Sequence, residues 1–196
     1  KDINIYLDRT VIEFSDAFFK DNFSPSDFVV GLSPSGGWDS KKCPPFKFVE
    51  SALKISELYT DIKFLILWGP EDYNDAVEIF NGLKNISLLA PSTSVAESAA
   101  LMKKCNIIIS NDSGPMHIAA ALGTPILAFF GPTDPLMQGP FSTNSDWIRL
   151  EELDCIGCNL LNCPIEKKCF NDLPIIRIID KFSILYNKIK YTNEKN

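Results

Sequence analysis

At 196 residues and 45% hydrophobic composition, the chain suits one large domain or two small ones and can bury a sizeable core, which excludes a disordered tail. A net charge of −6 with no long basic run argues against a nucleic-acid groove, whereas a lysine or two beside a helix N-terminus suffices for an anionic small molecule. No run of about 18 apolar residues is present, so no membrane span is expected.

The opening KDINIYLDRT has neither the basic n-region and apolar h-region of a signal peptide nor an initiator methionine, and reads as a fragment or processed product. INIYL (3–7) fits a short strand, and RTVIEFSDAFFKDN (9–22) repeats apolar residues at three and four, as a helix does. FVVGLSP (28–34) is an apolar, β-branched strand that runs into the loop SGGWDSKKCPP (35–45). The prolines closing that loop can open a helix, FKFVESALKISELYT. DIKFLILWGP is a second buried strand and EDYNDAVEIFNGLKN a second helix. ISLLAP is a third strand; SVAESAALMKKC is a third helix, with Ser94 and Glu97 spaced as a capping box.

NIIIS (106–110) is a fourth strand, GPMHIAAALG a short helix that Gly123 ends, and TPILAFFG a fifth strand. A loop, a short WIRL strand, a cysteine-rich segment (150–172) and a C-terminal helix (173–191) follow. Strand and helix alternate, and the strands are too apolar for a sheet covered on one side only. The expectation is one α/β domain over 1–196, a Rossmann-like parallel sheet with helices on both faces.

In such sheets ligands sit outside the carboxyl ends of the strands. The loops there are 35–44, 69–72, 111–115 and 131–135. In the third, Asp112, Ser113, Gly114 and Pro115 open a helix whose positive end suits a phosphate; equally, Asp112 or Ser113 only caps it. His117, the sole histidine, has the neighbours of a core residue as much as of a catalyst. Gly36 and Gly37 offer backbone to a phosphate, with Lys41 and Lys42 as point charges, but neither the Walker A nor the G-x-G-x-x-G spacing is present. Glu71 or Asp72 can accept from ribose hydroxyls, or simply favour a helix N-terminus. Cys155, Cys158, Cys163 and Cys169, spaced C-x2-C-x4-C-x5-C, suit zinc, an iron–sulfur centre, reduced thiols or disulfides.

Two blocks turn these loops into a resemblance. Pro34 to Phe48, PSGGWDSKKCPPFKF, resembles the "PGAxxxSKRWPxxxF" loop of the heptosyltransferases, glycosyltransferase family 9. Asp112 to Pro135, DSGPMHIAAALGTPILAFFGPTDP, resembles that family's "DTGxxHxAAAxGxPxxxxFGPTDP" block without a gap. The resemblance implies the C-terminal half of a GT-B enzyme, which inverts configuration while moving heptose from ADP-heptose to a lipopolysaccharide core acceptor with no essential metal. By position, Lys41 would neutralise donor phosphate and Asp112 would contact the transferred sugar. Ser113, Gly114 and Pro115 would cradle the diphosphate, with His117 beside it. Thr93 would line the adenine pocket, and Glu71 or Asp72 would hold the ribose.

The catalytic base belongs to the family's N-terminal domain, which the chain does not show. The expectation is therefore a chain that binds donor and transfers little alone. Its implied place is cytoplasmic, at the periphery of the inner membrane in the full protein. Ser113 for threonine, Ser35 and Gly36 for Gly-Ala, and Cys43 for tryptophan depart from the pattern and weaken heptose as the named sugar. A non-catalytic nucleotide-sugar-binding or interaction module, or a metal-clip interaction domain, is the alternative function.

Overall fold

The computed structural model describes residues 5–193, with side chains to 191. The strands are β1 (Phe28–Ser33), β2 (Ile62–Ile66), β3 (Ser87–Leu89), β4 (Ile107–Asn111), β5 (Ile126–Phe129) and β6 (Ser145–Ile148). The helices are α1 (Arg9–Asn22), α2 (Pro45–Leu58), α3 (Tyr73–Gly82), α4 (Val95–Lys104), α5 (Gly114–Ala121), α6 (Pro135–Gln138), α7 (Lys168–Asn171) and α8 (Ile175–Asn193). The strands form one sheet in the order β3-β2-β1-β4-β5-β6, and every neighbouring pair is parallel.

Successive strand side chains point to opposite faces, so an apolar run needs cover on both. Val30 and Leu32 of β1 join Phe64, Ile109 and Phe129 beneath α2, α3 and α8. Val29 joins Leu65, Ile108 and Ala128 beneath α1, α4 and α5. Each large apolar side chain buried this way contributes about 1.5–3 kcal/mol, and the central strands β1 and β4 accordingly carry polar residues only at their ends. Those ends are Ser33, Ser110 and Asn111, at the edge where the rim loops begin.

The expected strand over 3–7 does not form where it can be seen: residues 5–7 are irregular, and 3 and 4 lie outside the described residues. A six-stranded sheet already satisfies its members, and the segment only leads into α1, whose first turn Asp8 caps. The Ser94–Glu97 capping box is present in both directions, and Gly123 ends α5 at a φ of +73° that favours glycine.

The C-terminal helix is fastened to the β2 end of the sheet through Asp61, whose carboxylate accepts hydrogen bonds from Tyr186 Oη and Lys190 Nζ. Burial tends to raise this carboxyl, but the Lys190 and Tyr186 contacts outweigh it and hold it below its ordinary value. A depressed carboxyl stabilises fully above its unfolded pKa of about 3.9 and loses that contribution as pH falls through the folded value. Asp61→Asn is therefore expected to melt about 2–4 °C below the parent at pH 7. The gap should close below about pH 3, as thermal scans at both pH values will show; a gap that persists there assigns the loss to packing instead.

Candidate functional site

The strand order reverses at β1: β2 and β3 lie to one side of it, β4 to β6 to the other. The loops after β1 and β4 consequently splay apart above the sheet, which leaves a crevice at their carboxyl ends. Asn111 sets its geometry. The side chain is fully buried, and its Nδ2 donates to Pro34 O (2.7 Å) and Ser35 O (3.3 Å). Its Oδ1 accepts the Cys43 N–H at 3.2 Å. One amide thus ties down both ends of the loop between β1 and α2.

Lys41 closes a short 3-10 turn, Asp39–Lys41, within that loop. Its Nζ lies 2.7 Å from Asp112 Oδ2 and 4.5 Å from the centre of the Trp38 ring. The same Asp112 oxygen accepts Thr133 Oγ1 at 2.6 Å. Lys41 is 13% and Asp112 3% exposed in their side chains, so the pair is screened from water but not sealed. Three of the four rim loops anticipated from chain order therefore meet at one carboxylate. The turn is also braced from outside: Ser40 N–H donates to Leu161 O at 3.1 Å, Ser40 Oγ donates to Leu160 O, and Lys167 pairs with Asp39 at 2.8 Å.

At the start of α5 the helix-capping alternative fails. Ser113 is the N-cap residue, but its side chain makes no cap bond and turns back to Asn111 O. Asp112 is engaged by Lys41 and Thr133 instead. No side chain occupies the positive end of the helix, and Gly114 is exposed there, with open space where a Cβ would stand. Pro115 follows, partly buried. His117 is exposed on the first turn and hydrogen-bonds to no described side chain, so it is not a core residue.

A cavity of about 190 Å³ opens beside this helix. Ser33, Trp68, Thr93, Met102, Gly114 and Pro115 border it. Trp68 presents only its ring, since Nε1 is spent on Ala90 O at 2.8 Å. Thr93 reaches the cavity because the capping box at Ser94 fixes the entry of α4. Gly36 and Gly37 do not border it. A Cβ on Gly36 would meet Lys42 Cγ at 2.6 Å, so that glycine makes room for a side chain, while Gly37 is exposed in open space.

Glu71 and Asp72 part company. They lie in a 3-10 turn, Pro70–Asp72, ahead of α3. Asp72 is buried and bonded to Lys42 Nζ at 2.7 Å, with Asp75 at 3.6 Å. Burial tends to lower the Lys42 pKa, but the two carboxylates outweigh it and hold it raised. Lys42 and Asp72 are thus spent on each other, which leaves exposed Glu71 as the carboxylate open to a ligand.

The structure lends the metal expectation at the cysteines no support. Cys155, Cys158, Cys163 and Cys169 border a cavity of only about 20 Å³, together with Gly131 and Pro132. Among the described residues no group of three or more His, Cys, Asp or Glu side chains is placed to hold a metal ion. Cys155 and Cys158 are exposed, Cys163 Sγ accepts the Lys167 N–H, and Cys169 faces inward to the Gly131 backbone. Burial first, then the neighbouring thiols, pushes the Cys169 pKa up to about 12. None of the cysteines is in a disulfide. The segment's visible work is the brace on the Lys41 turn. Among the described residues, no helix is long and apolar enough to cross a membrane.

Sequence reasoning did not single out Asn111, Thr133 or Trp68. Asn111 and Thr133 stood beside or within the Asp112–Pro135 block, where their own positions were the only signal. Trp68 ends an apolar strand run and read as core.

Comparison with known proteins identifies the family. A family model of glycosyltransferase family 9 (heptosyltransferase) matches residues 6–168. Lipooligosaccharide heptosyltransferase 2 of Campylobacter jejuni is 28% identical over 159 residues, which is 78% of this chain and 49% of that protein. The structure of E. coli ADP-heptose lps heptosyltransferase II superposes with a TM-score of 0.77 at 20% identity, over 95% of this chain and 54% of that one. E. coli heptosyltransferase WaaC with ADP superposes with a TM-score of 0.65 at 18% identity, over 87% and 48%. The chain spans about half the length of the curated relatives it matches first. The fold is the α/β parallel sheet of half a GT-B glycosyltransferase, and the chain belongs to glycosyltransferase family 9, the heptosyltransferase family.

Proposed function

We propose that this chain is the donor-binding half of an inverting glycosyltransferase of lipopolysaccharide core assembly, holding ADP-heptose or a closely related nucleotide sugar. The observation that carries the reading is the Lys41–Asp112 pair, set at 2.7 Å in the crevice beside the uncapped N-terminus of α5. An ammonium has three donors, and Asp112 uses one. The others, with the Gly114 N–H at the start of α5, can take up charge as a nucleoside diphosphate leaves. Asp112 engages Lys41 and Thr133 through Oδ2, so Oδ1 remains to accept hydroxyls of the transferred sugar. Thr93 borders the nucleoside pocket, and Glu71 is the carboxylate left to hold the ribose. His117, exposed on the first turn of α5, would stand beside the phosphates and sugar.

No step of this reading runs through a metal. The carboxylate that deprotonates the acceptor hydroxyl comes from the N-terminal half of the enzyme, so this chain alone transfers little. A relative solved with ADP supports adenine as the base. Calorimetric titration with ADP, UDP and GDP and their sugars tests it: ADP and ADP-sugars should bind most tightly. Binding of another nucleotide with none for ADP would discard the ADP-heptose assignment, and ordinary turnover onto a lipid-linked acceptor by this chain alone would discard the division of labour.

A further inference from the structure

We infer that the Ser33 hydroxyl is a donor-contacting group, hydrogen-bonding the nucleoside end of the nucleotide sugar from the floor of the cavity beside α5; this rests on the donor-binding reading above. Ser33 is the last residue of β1, 1% exposed, and borders the cavity of about 190 Å³. It shares its strand face with Val29, whose cluster lies under α4 and α5, where the cavity opens. Among the described residues its Oγ has no hydrogen-bond partner. A buried hydroxyl left in that state is costly, and native proteins keep few of them. One that borders a cavity at the edge where the strand order reverses is completed when the cavity is filled.

The surroundings say which part of a ligand completes it. Positive charge is concentrated at Lys41, beside Asp112, and at the start of α5, whose Gly114 and Pro115 form one edge of the cavity. Away from that edge the walls are Leu67, Trp68, Met102 and Ile118, surfaces that suit a flat heteroaromatic group rather than a phosphate. At about 190 Å³ it is smaller than the roughly 300–1,000 Å³ pockets that take whole drug-sized ligands, so it suits one moiety of the donor. Ser94 Oγ is spent on its helix cap and Trp68 Nε1 on Ala90 O. Of the hydroxyls around the cavity, Ser33's is the one that is both shielded from water and unpartnered among the described residues.

The structure supplies its own control. Ser110 pairs with Ser33 in the β1–β4 register, is fully buried and is equally unpartnered, yet does not border the cavity. The purified chain and its Ser33→Ala, Ser33→Thr and Ser110→Ala variants are titrated calorimetrically with ADP and melted in parallel. Ser33→Ala removes a hydroxyl with no hydrogen-bond partner among the described residues, so its melting temperature should not fall. Its ADP affinity should fall about tenfold. Ser33→Thr, which keeps the hydroxyl and suits a strand, should stay within about threefold of the parent. Ser110→Ala should bind ADP as the parent does. An unchanged affinity in Ser33→Ala, or an equal loss in Ser110→Ala, overturns the inference while leaving the donor reading intact. A parent chain that fails to bind ADP overturns the donor reading itself, before any variant is considered.

Discussion

Lys41→Ala should lower affinity for ADP about 100-fold, because truncating one partner of a close charged contact costs about 2–5 kcal/mol. Two effects of the change are separable. Towards ligand, the crevice loses the cation paired with Asp112, which the start of α5 then lacks beside it in meeting the diphosphate. Towards the fold, Asp112, at 3% side-chain exposure, keeps only Thr133 as its partner. An under-satisfied carboxylate of that kind costs about 1–3 kcal/mol. Urea denaturation reads the second effect, and calorimetry under folding conditions reads the first. Lys41→Arg keeps the charge and should restore most of the stability. If Lys41→Ala binds ADP within about threefold of the parent, the lysine is only a structural partner of Asp112.

Asn111→Ala should have the larger effect on the fold, about 2–4 kcal/mol by urea denaturation. Its amide serves the Pro34 and Ser35 carbonyls and the Cys43 N–H, and nothing about the site lets water replace it, since the residue is fully buried. Alanine leaves those backbone groups without that partner and opens a gap between β4 and the loop that carries Lys41. ADP affinity should fall as well, by about tenfold, though the side chain need never touch the ligand. Aspartate is no remedy: it accepts but does not donate, and it buries a charge. An unchanged urea midpoint in Asn111→Ala would remove Asn111 as the pin of this loop.

Much of the architecture was legible before any coordinates. The apolar runs of β1, β2, β4 and β5 each need cover on both faces, which implies parallel strands between helical layers. Ser94 with Glu97, and Gly123 at the end of α5, act within a single turn of chain, so local chemistry decides them. The site was half legible. Lys41, Asp112 and the start of α5 followed from loop position and from the resemblance to the family blocks. The cysteine spacing raised a metal expectation that nothing among the described residues supports.

What the sequence by itself determined is the set of elements and the edge of the sheet where the candidate loops gather, since periodicity and turn chemistry are local. What only the tertiary structure decided is who meets whom at that edge. Asp112 meets Thr133 across 21 positions, and Asn111 holds Pro34 across 77. Asp72 is taken by Lys42, which leaves Glu71 open, and Ser33 is left unpartnered beneath the cavity. These contacts follow from the order in which parallel strands are laid down on either side of β1, which no local pattern encodes.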